Sequence, residues 1–74
     1  MEDSRPLDAL NKARNKRVIV ELKNGKQYTG KLNAFDIHIN IVLEEAEEKV
    51  NGELTRKLGV IFLRGDTIIM VSPA

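Results

Sequence analysis

The sequence predicts an all-β fold opened by one N-terminal helix, with five antiparallel strands forming a small, strongly bent barrel. Three observations carry that expectation. Apolar residues alternate with polar ones over several short runs, the period of a strand with one buried face. Asn-Gly pairs at 24–25 and 51–52 separate such runs as hairpin turns do. Glycines interrupt the second and fourth runs, at Gly30 and Gly59, where a long strand must bend if its sheet is to curl and close.

The helix is read over 4–14, in "SRPLDALNKAR". Ser4 or Asp3 suits its N-cap, Pro6 its first turn, and Asp8 the positive end of its dipole. Leu7 and Leu10 make a narrow apolar stripe, and so short a helix needs something to pack on. The first strand, 17–23, turns Val18, Val20 and Leu22 inward, and Asn24-Gly25 closes a hairpin of type I′ with "KQYTGKLNAF". The third strand is read over 37–48, with Ile37, Ile39, Ile41 and Leu43 on one face. Asn51-Gly52 turns into a fourth strand over 54–64, Arg64-Gly65-Asp66 forms a tight turn, and a fifth strand runs over 67–72 until Pro73 stops it.

The chain's 74 residues suffice for one small domain, 1–74, which buries about 60% of its unfolded surface. With no cysteine, neither a disulfide nor a thiolate metal site is available. No run of about 20 apolar residues and no signal-peptide pattern occurs, so a soluble, cytoplasmic protein is expected. Net charge is +1, which argues against a uniformly basic nucleic-acid surface. The charge is unevenly spread: residues 1–35 hold eight Lys or Arg against four acids, and residues 36–74 hold four against seven. "KARNKR" (12–17) and "EEAEE" (44–48) are the densest clusters, and each alone reads as solvated surface.

Strand five does not fit a self-sufficient domain. Ile68, Ile69, Met70 and Val71 are apolar on both faces, as is Val60 to Leu63 in strand four. An uncovered apolar edge aggregates, and 74 residues offer too little core to cover both faces. Pairing of strand four with strand five of the next copy covers them, and such head-to-tail contacts close into rings when the rotation permits.

"GKLNAFDIHINIVLEEAEE" resembles the first Sm motif and "LGVIFLRGDTIIMVSP" the second, the motifs falling at about 17–48 and 58–73 with a spacer between them. "RPLDALN" is similar to the N-terminal helix of archaeal Sm-like proteins. The resemblance implies a five-stranded Sm-type (SH3-like) barrel whose copies form a ring, of seven subunits in the archaeal branch with six as the alternative. It also implies that the ring binds single-stranded, uridine-rich RNA around its inner pore and acts in RNA processing, decay or chaperoning. By the same resemblance His38 stacks on a base, Asn40 hydrogen-bonds its edge, Asp36 orients Asn40, and Arg64 is the second stacking partner on a turn shaped by Gly65 and Asp66. Relatives often carry Gly-Tyr where this chain has Ala34-Phe35, and RGDN where it has Thr67. An accessory RNA contact on the helix face, through Arg5 and Phe35, is therefore limited to stacking at Phe35, which cannot donate a hydrogen bond.

The residue chemistry agrees. Proteins read single-stranded RNA by stacking on base faces and bonding to base edges. A histidine ring and a guanidinium are flat partners worth about 1–3 kcal/mol per base. An amide offers a donor and an acceptor side by side, matching uracil's N3–H and carbonyl, whereas cytosine lacks the N3–H. Taken singly, each residue has a plainer reading: an exposed histidine, an Asp capping its own backbone, a weak surface ion pair at Arg64–Asp66. Enzyme chemistry finds little support, since one histidine and no cysteine supply neither a nucleophile–base pair nor a zinc site, and no phosphate-binding loop occurs. No cofactor is expected. The rival reading is an oligomeric protein-interaction scaffold with little RNA affinity.

Overall fold

The computed structural model describes residues 6–74. Its elements are α1 (Pro6–Lys12), β1 (Arg17–Leu22), β2 (Gln27–Phe35), β3 (Ile41–Val50), β4 (Glu53–Leu63), a short 3-10 turn (Gly65–Thr67) and β5 (Ile68–Pro73). The strands form one antiparallel sheet in the order β4-β3-β2-β1-β5. The sheet is bent but does not close as the sequence suggested: β4 and β5 remain its two edges. Helix caps at Asp3 and Ser4 lie outside the described residues.

Alternation builds the core as expected. Val18, Val20 and Leu22 of β1 meet Leu32 of β2 and Ile41, Leu43 and Ala46 of β3, all buried, with Leu10 of α1 and Leu58, Ile61, Leu63, Ile68 and Val71 packed around them. Bending comes from extra residues in the ladders. Between Thr29↔Glu47 and Lys31↔Glu44, β3 carries one residue more than β2, and Glu45 there takes a left-handed φ of 50°. Gly30 sits against this bulge, where a Cβ would lie 2.9 Å from the Glu44 carbonyl oxygen and 3.2 Å from Ala46 Cα. The second strand thus needs its glycine for close approach.

The two Asn-Gly turns differ. Asn51 (φ 53°) and Gly52 (φ 81°) link the paired residues Val50 and Glu53, the two-residue type I′ loop. At 24–25 only Gly25 is left-handed (φ 88°), which corrects the type I′ expectation there. The Gly25 N–H donates to the Leu22 carbonyl (3.0 Å) and the Lys26 N–H to Asn24 Oδ1 (3.0 Å). A longer loop with an Asx-type bond forms instead, and the Lys23 N–H donates to the Thr67 carbonyl (2.8 Å).

The acidic run is not all solvated surface. Ala46 and Glu48 are buried. Glu48 lies opposite Tyr28 on β2 and Arg56 on β4. Its carboxylate accepts from Tyr28 Oη (2.7 Å), Thr55 Oγ1 (2.9 Å) and the Arg56 guanidinium at both oxygens (3.1 Å each), with Lys26 Nζ 3.8 Å away. Arg56 first, then Tyr28 and Thr55, hold its pKa down from 4.5 to about 2. A group depressed on folding stabilises fully above its unfolded value and loses that contribution as pH falls through its folded one. The urea midpoint at fixed protein concentration is therefore expected to decline from pH 4.5 toward pH 2, and Glu48→Gln is expected to flatten that decline and lower the neutral midpoint. A variant with the wild-type acid profile would show that Glu48 does not set it.

Candidate nucleic-acid interface

The stretch Asp36–Asn40 is a turn, not the start of the third strand. Ile37 is 72% exposed, and Ile39, half-buried on the core, adopts φ 61°. Left-handed backbone is rare for a β-branched residue and costs on the order of 1–3 kcal/mol. Alternation misleads here because an aspartate followed by polar groups competes for the backbone. Asp36 Oδ1 accepts from the N–H groups of His38 (2.8 Å) and Asn40 (3.1 Å), and the Ile39 N–H donates to the Asp36 carbonyl (3.0 Å). The plain capping role of Asp36 is thus real, and it leaves a second oxygen for another task.

That oxygen, Asp36 Oδ2, accepts from Asn40 Nδ2 at 3.0 Å. From the opposite side, the Gly65 N–H donates to Asn40 Oδ1 at 2.8 Å. The two contacts demand the same orientation of the amide, since a carboxylate must face its nitrogen and an N–H its oxygen. The bond from Asn40, more than those from the backbone, holds the Asp36 carboxyl below its usual range.

The Arg64–Thr67 turn is brought against this one by the β3–β4 ladder, which pairs Ile41 with Leu63. Gly65 needs no special φ; it needs space, because a Cβ would collide with the His38 carbonyl oxygen and lie 2.9 Å from the Ile39 carbonyl carbon. The Thr67 hydroxyl and N–H both donate to the Arg64 carbonyl (2.6 and 3.0 Å), closing the turn. Arg64 Nη2 donates to Asp66 Oδ2 at 3.1 Å, with the Arg64 side chain 81% exposed. The His38 side chain is also in solvent.

Asp36, His38, Asn40, Arg64, Gly65 and Asp66 therefore gather on two abutting turns. Beside them a cleft of about 330 Å³ runs between the ends of β2, β3 and β4, lined by Phe35, Val42, Phe62, Asn40 and Arg64 among others. Phe35 is half-buried there, while Arg5 lies outside the described residues. Sequence reasoning missed the Gly65 N–H as Asn40's second partner; a glycine in a tight turn signals only that something comes close. Among the described residues no His, Asp and Glu side chains cluster to hold a metal ion, and no helix is long and apolar enough to cross a membrane.

A helix-opened, bent five-stranded sheet with an Asp-x-His-x-Asn turn locked against an Arg-Gly-Asp turn is an Sm-type barrel. The LSM domain family matches residues 8–73, and the chain belongs to that family. It is 53% identical over 70 residues to an snRNP Sm-like protein of Archaeoglobus fulgidus, covering 95% of this chain and 91% of the relative. The Pyrococcus abyssii Sm protein solved in complex with a uridine heptamer superposes with a TM-score of 0.92 at 41% identity, over 96% of this chain and all of that one. A heptameric archaeal Sm protein superposes with a TM-score of 0.85 at 34% identity, over 90% of this chain and 97% of that one.

Proposed function

We propose that copies of this chain close into a ring, β4 of one joined to β5 of the next, and that the ring binds single-stranded, uridine-rich RNA at its inner opening. Seven subunits is the number the heptameric relative supports. The ring is a binding platform for RNA processing, decay or chaperoning, not an enzyme. The uridine heptamer bound by a relative at 41% identity supports the ligand class.

The observation that carries the reading is the state of Asn40. Its amide has two donors and two acceptor positions. Asp36 takes one donor and Gly65 one acceptor, leaving one of each for a ligand. Uracil's adjacent carbonyl and N3–H satisfy both; cytosine satisfies one and leaves a polar group unpaired. His38 and Arg64 stand on the flanking turns, where a flat ring and a guanidinium can cover the base faces. The pocket repeats in every subunit, so linked pockets raise the effective concentration of each successive base.

The test is binding of a uridine heptamer to His38→Ala with Arg64→Ala. Stacking is worth about 1–3 kcal/mol per base, so affinity is expected to fall roughly tenfold to a hundredfold or more, with ring mass unchanged in native mass spectrometry. Tight binding that survives the double change would sink the base-pocket reading and favour the protein scaffold. Because stacking and edge bonding dominate, binding of the short heptamer is expected to weaken only gently with added salt.

A further inference from the structure

We propose that Ile39 is a positioning residue of the base pocket: its side chain, seated on the core from a left-handed backbone, fixes where Asn40 stands and how its amide is turned. The inference rests on the RNA-binding reading above and deepens it. Of the five residues Asp36 to Asn40, Ile39 alone is half-buried, packed against the buried cluster, while the other four are exposed. Most bonds of this turn close it on itself. Asp36 Oδ1 accepts from the His38 and Asn40 N–H groups, the Ile39 N–H donates to the Asp36 carbonyl (3.0 Å), and the Asp36 N–H donates to the Asn40 carbonyl (3.2 Å). Such bonds shape a turn without fixing where it sits on the sheet. Besides the flanking strands, two contacts do that: the Ile39 side chain on the core, and the Gly65 N–H on Asn40 Oδ1 (2.8 Å).

The backbone at Ile39 shows what this anchor costs. Glycine or asparagine takes a φ of 61° readily, and a β-branched residue rarely does. A strained residue persists only where its surroundings over-determine it. Neither glycine nor asparagine has an apolar side chain to seat on the core, so the strain comes with the anchor. Ile39 also lies where the two turns touch, since a Cβ on Gly65 would fall 2.9 Å from the Ile39 carbonyl carbon. A shift of Ile39 therefore reaches Asn40 by two routes. One is the single peptide that joins them. The other is the Gly65 turn, whose N–H holds the amide oxygen. Plain core filling predicts that truncating Ile39 changes stability alone, whereas positioning predicts a loss of base selectivity.

The experiment compares Ile39→Gly and Ile39→Leu with wild type. Glycine relaxes the backbone and removes the anchor, two effects of opposite sign on stability. Leucine keeps an apolar anchor of the same size and loses the branch at Cβ. Ile39→Gly is expected to bind a uridine heptamer about tenfold more weakly, as for the loss of one oriented hydrogen bond, and to discriminate less between oligo(U) and oligo(C), with ring mass unchanged in native mass spectrometry. Hydrogen exchange at the Gly65 N–H is expected to quicken. Ile39→Leu is expected to match wild type in affinity, selectivity and exchange, and to raise the urea midpoint. Unchanged affinity and selectivity in Ile39→Gly would overturn the proposal. So would an equal loss for oligo(U) and oligo(C), which a purely structural role produces, or a loss in Ile39→Leu as large as in Ile39→Gly. If Ile39→Gly forms no rings, exchange at the Gly65 N–H is compared with and without it in an Ile69→Asp background, where neither chain assembles, and equal exchange there would overturn the proposal. If wild type failed to bind the heptamer, the base-pocket reading would fall, while the exchange comparison would still report whether Ile39 positions Asn40.

Discussion

Replacing Ile69 by aspartate is expected to dismantle the ring and to remove RNA binding with it. Ile69 is 61% exposed in the single chain, on the edge strand β5, where the β1–β5 register slips and leaves it as the extra residue. Met70 beside it is exposed, and so are Val60 and Phe62 on the opposite edge strand β4. These two edges are the rows of unpaired backbone and apolar side chains that a neighbouring copy would cover. A carboxylate placed there costs the isolated chain little, because the site is in water. Buried at a joint between subunits, an unpaired charge costs at least about 3 kcal/mol, and a closed ring pays it at every joint. Native mass spectrometry is expected to show folded single chains or short oligomers, with heptauridine affinity lost because pockets are no longer linked. Ile69→Val, apolar and of similar shape, should keep the ring. Intact rings of the aspartate variant would contradict pairing through these edges.

Gly65→Ala is expected to have the second largest effect, and to act on the pocket while leaving the edges intact. The added methyl has nowhere to go, since the His38 carbonyl oxygen occupies its place. Forcing the two turns apart costs about 1–3 kcal/mol of stability, the range for overpacking a close contact. Separation also breaks the Gly65 N–H bond to Asn40 Oδ1, freeing the amide to rotate about its remaining bond to Asp36. An amide no longer held in the uracil-reading orientation is expected to lose about 1–3 kcal/mol of binding per pocket, roughly fivefold to a hundredfold and more. Discrimination between oligo(U) and oligo(C) should shrink together with affinity. Uridine affinity and selectivity unchanged in Gly65→Ala would mean that this backbone bond does not position Asn40.

Much of the architecture was legible because local rules agree with the global fold at most positions. Val18, Val20 and Leu22 alternate as a half-buried strand should, and they are buried. Asn51-Gly52 has the one dipeptide that tolerates two left-handed residues, and it makes that turn. Reading failed where side chains bond to their own backbone. Ile37 and Ile39 continue the alternation of Ile41 and Leu43, yet Asp36 draws the intervening N–H groups into a turn, exposing Ile37 and straining Ile39. Glu48 failed differently: within a run of glutamates nothing local marks the one whose cross-strand neighbours are Tyr28 and Arg56.

The sequence by itself determined the number of strands, the core residues of β1, and the bends at Gly30 and Gly59. Those follow from period and backbone freedom, which are properties of short stretches. Only the tertiary structure decided that the Gly65 N–H holds the second end of Asn40 and that Glu48 is buried. Each of these depends on residues far apart in the chain meeting across a ladder, 25 positions apart for Gly65 and Asn40, and register across strands is set by the packing of the whole core rather than by any local run.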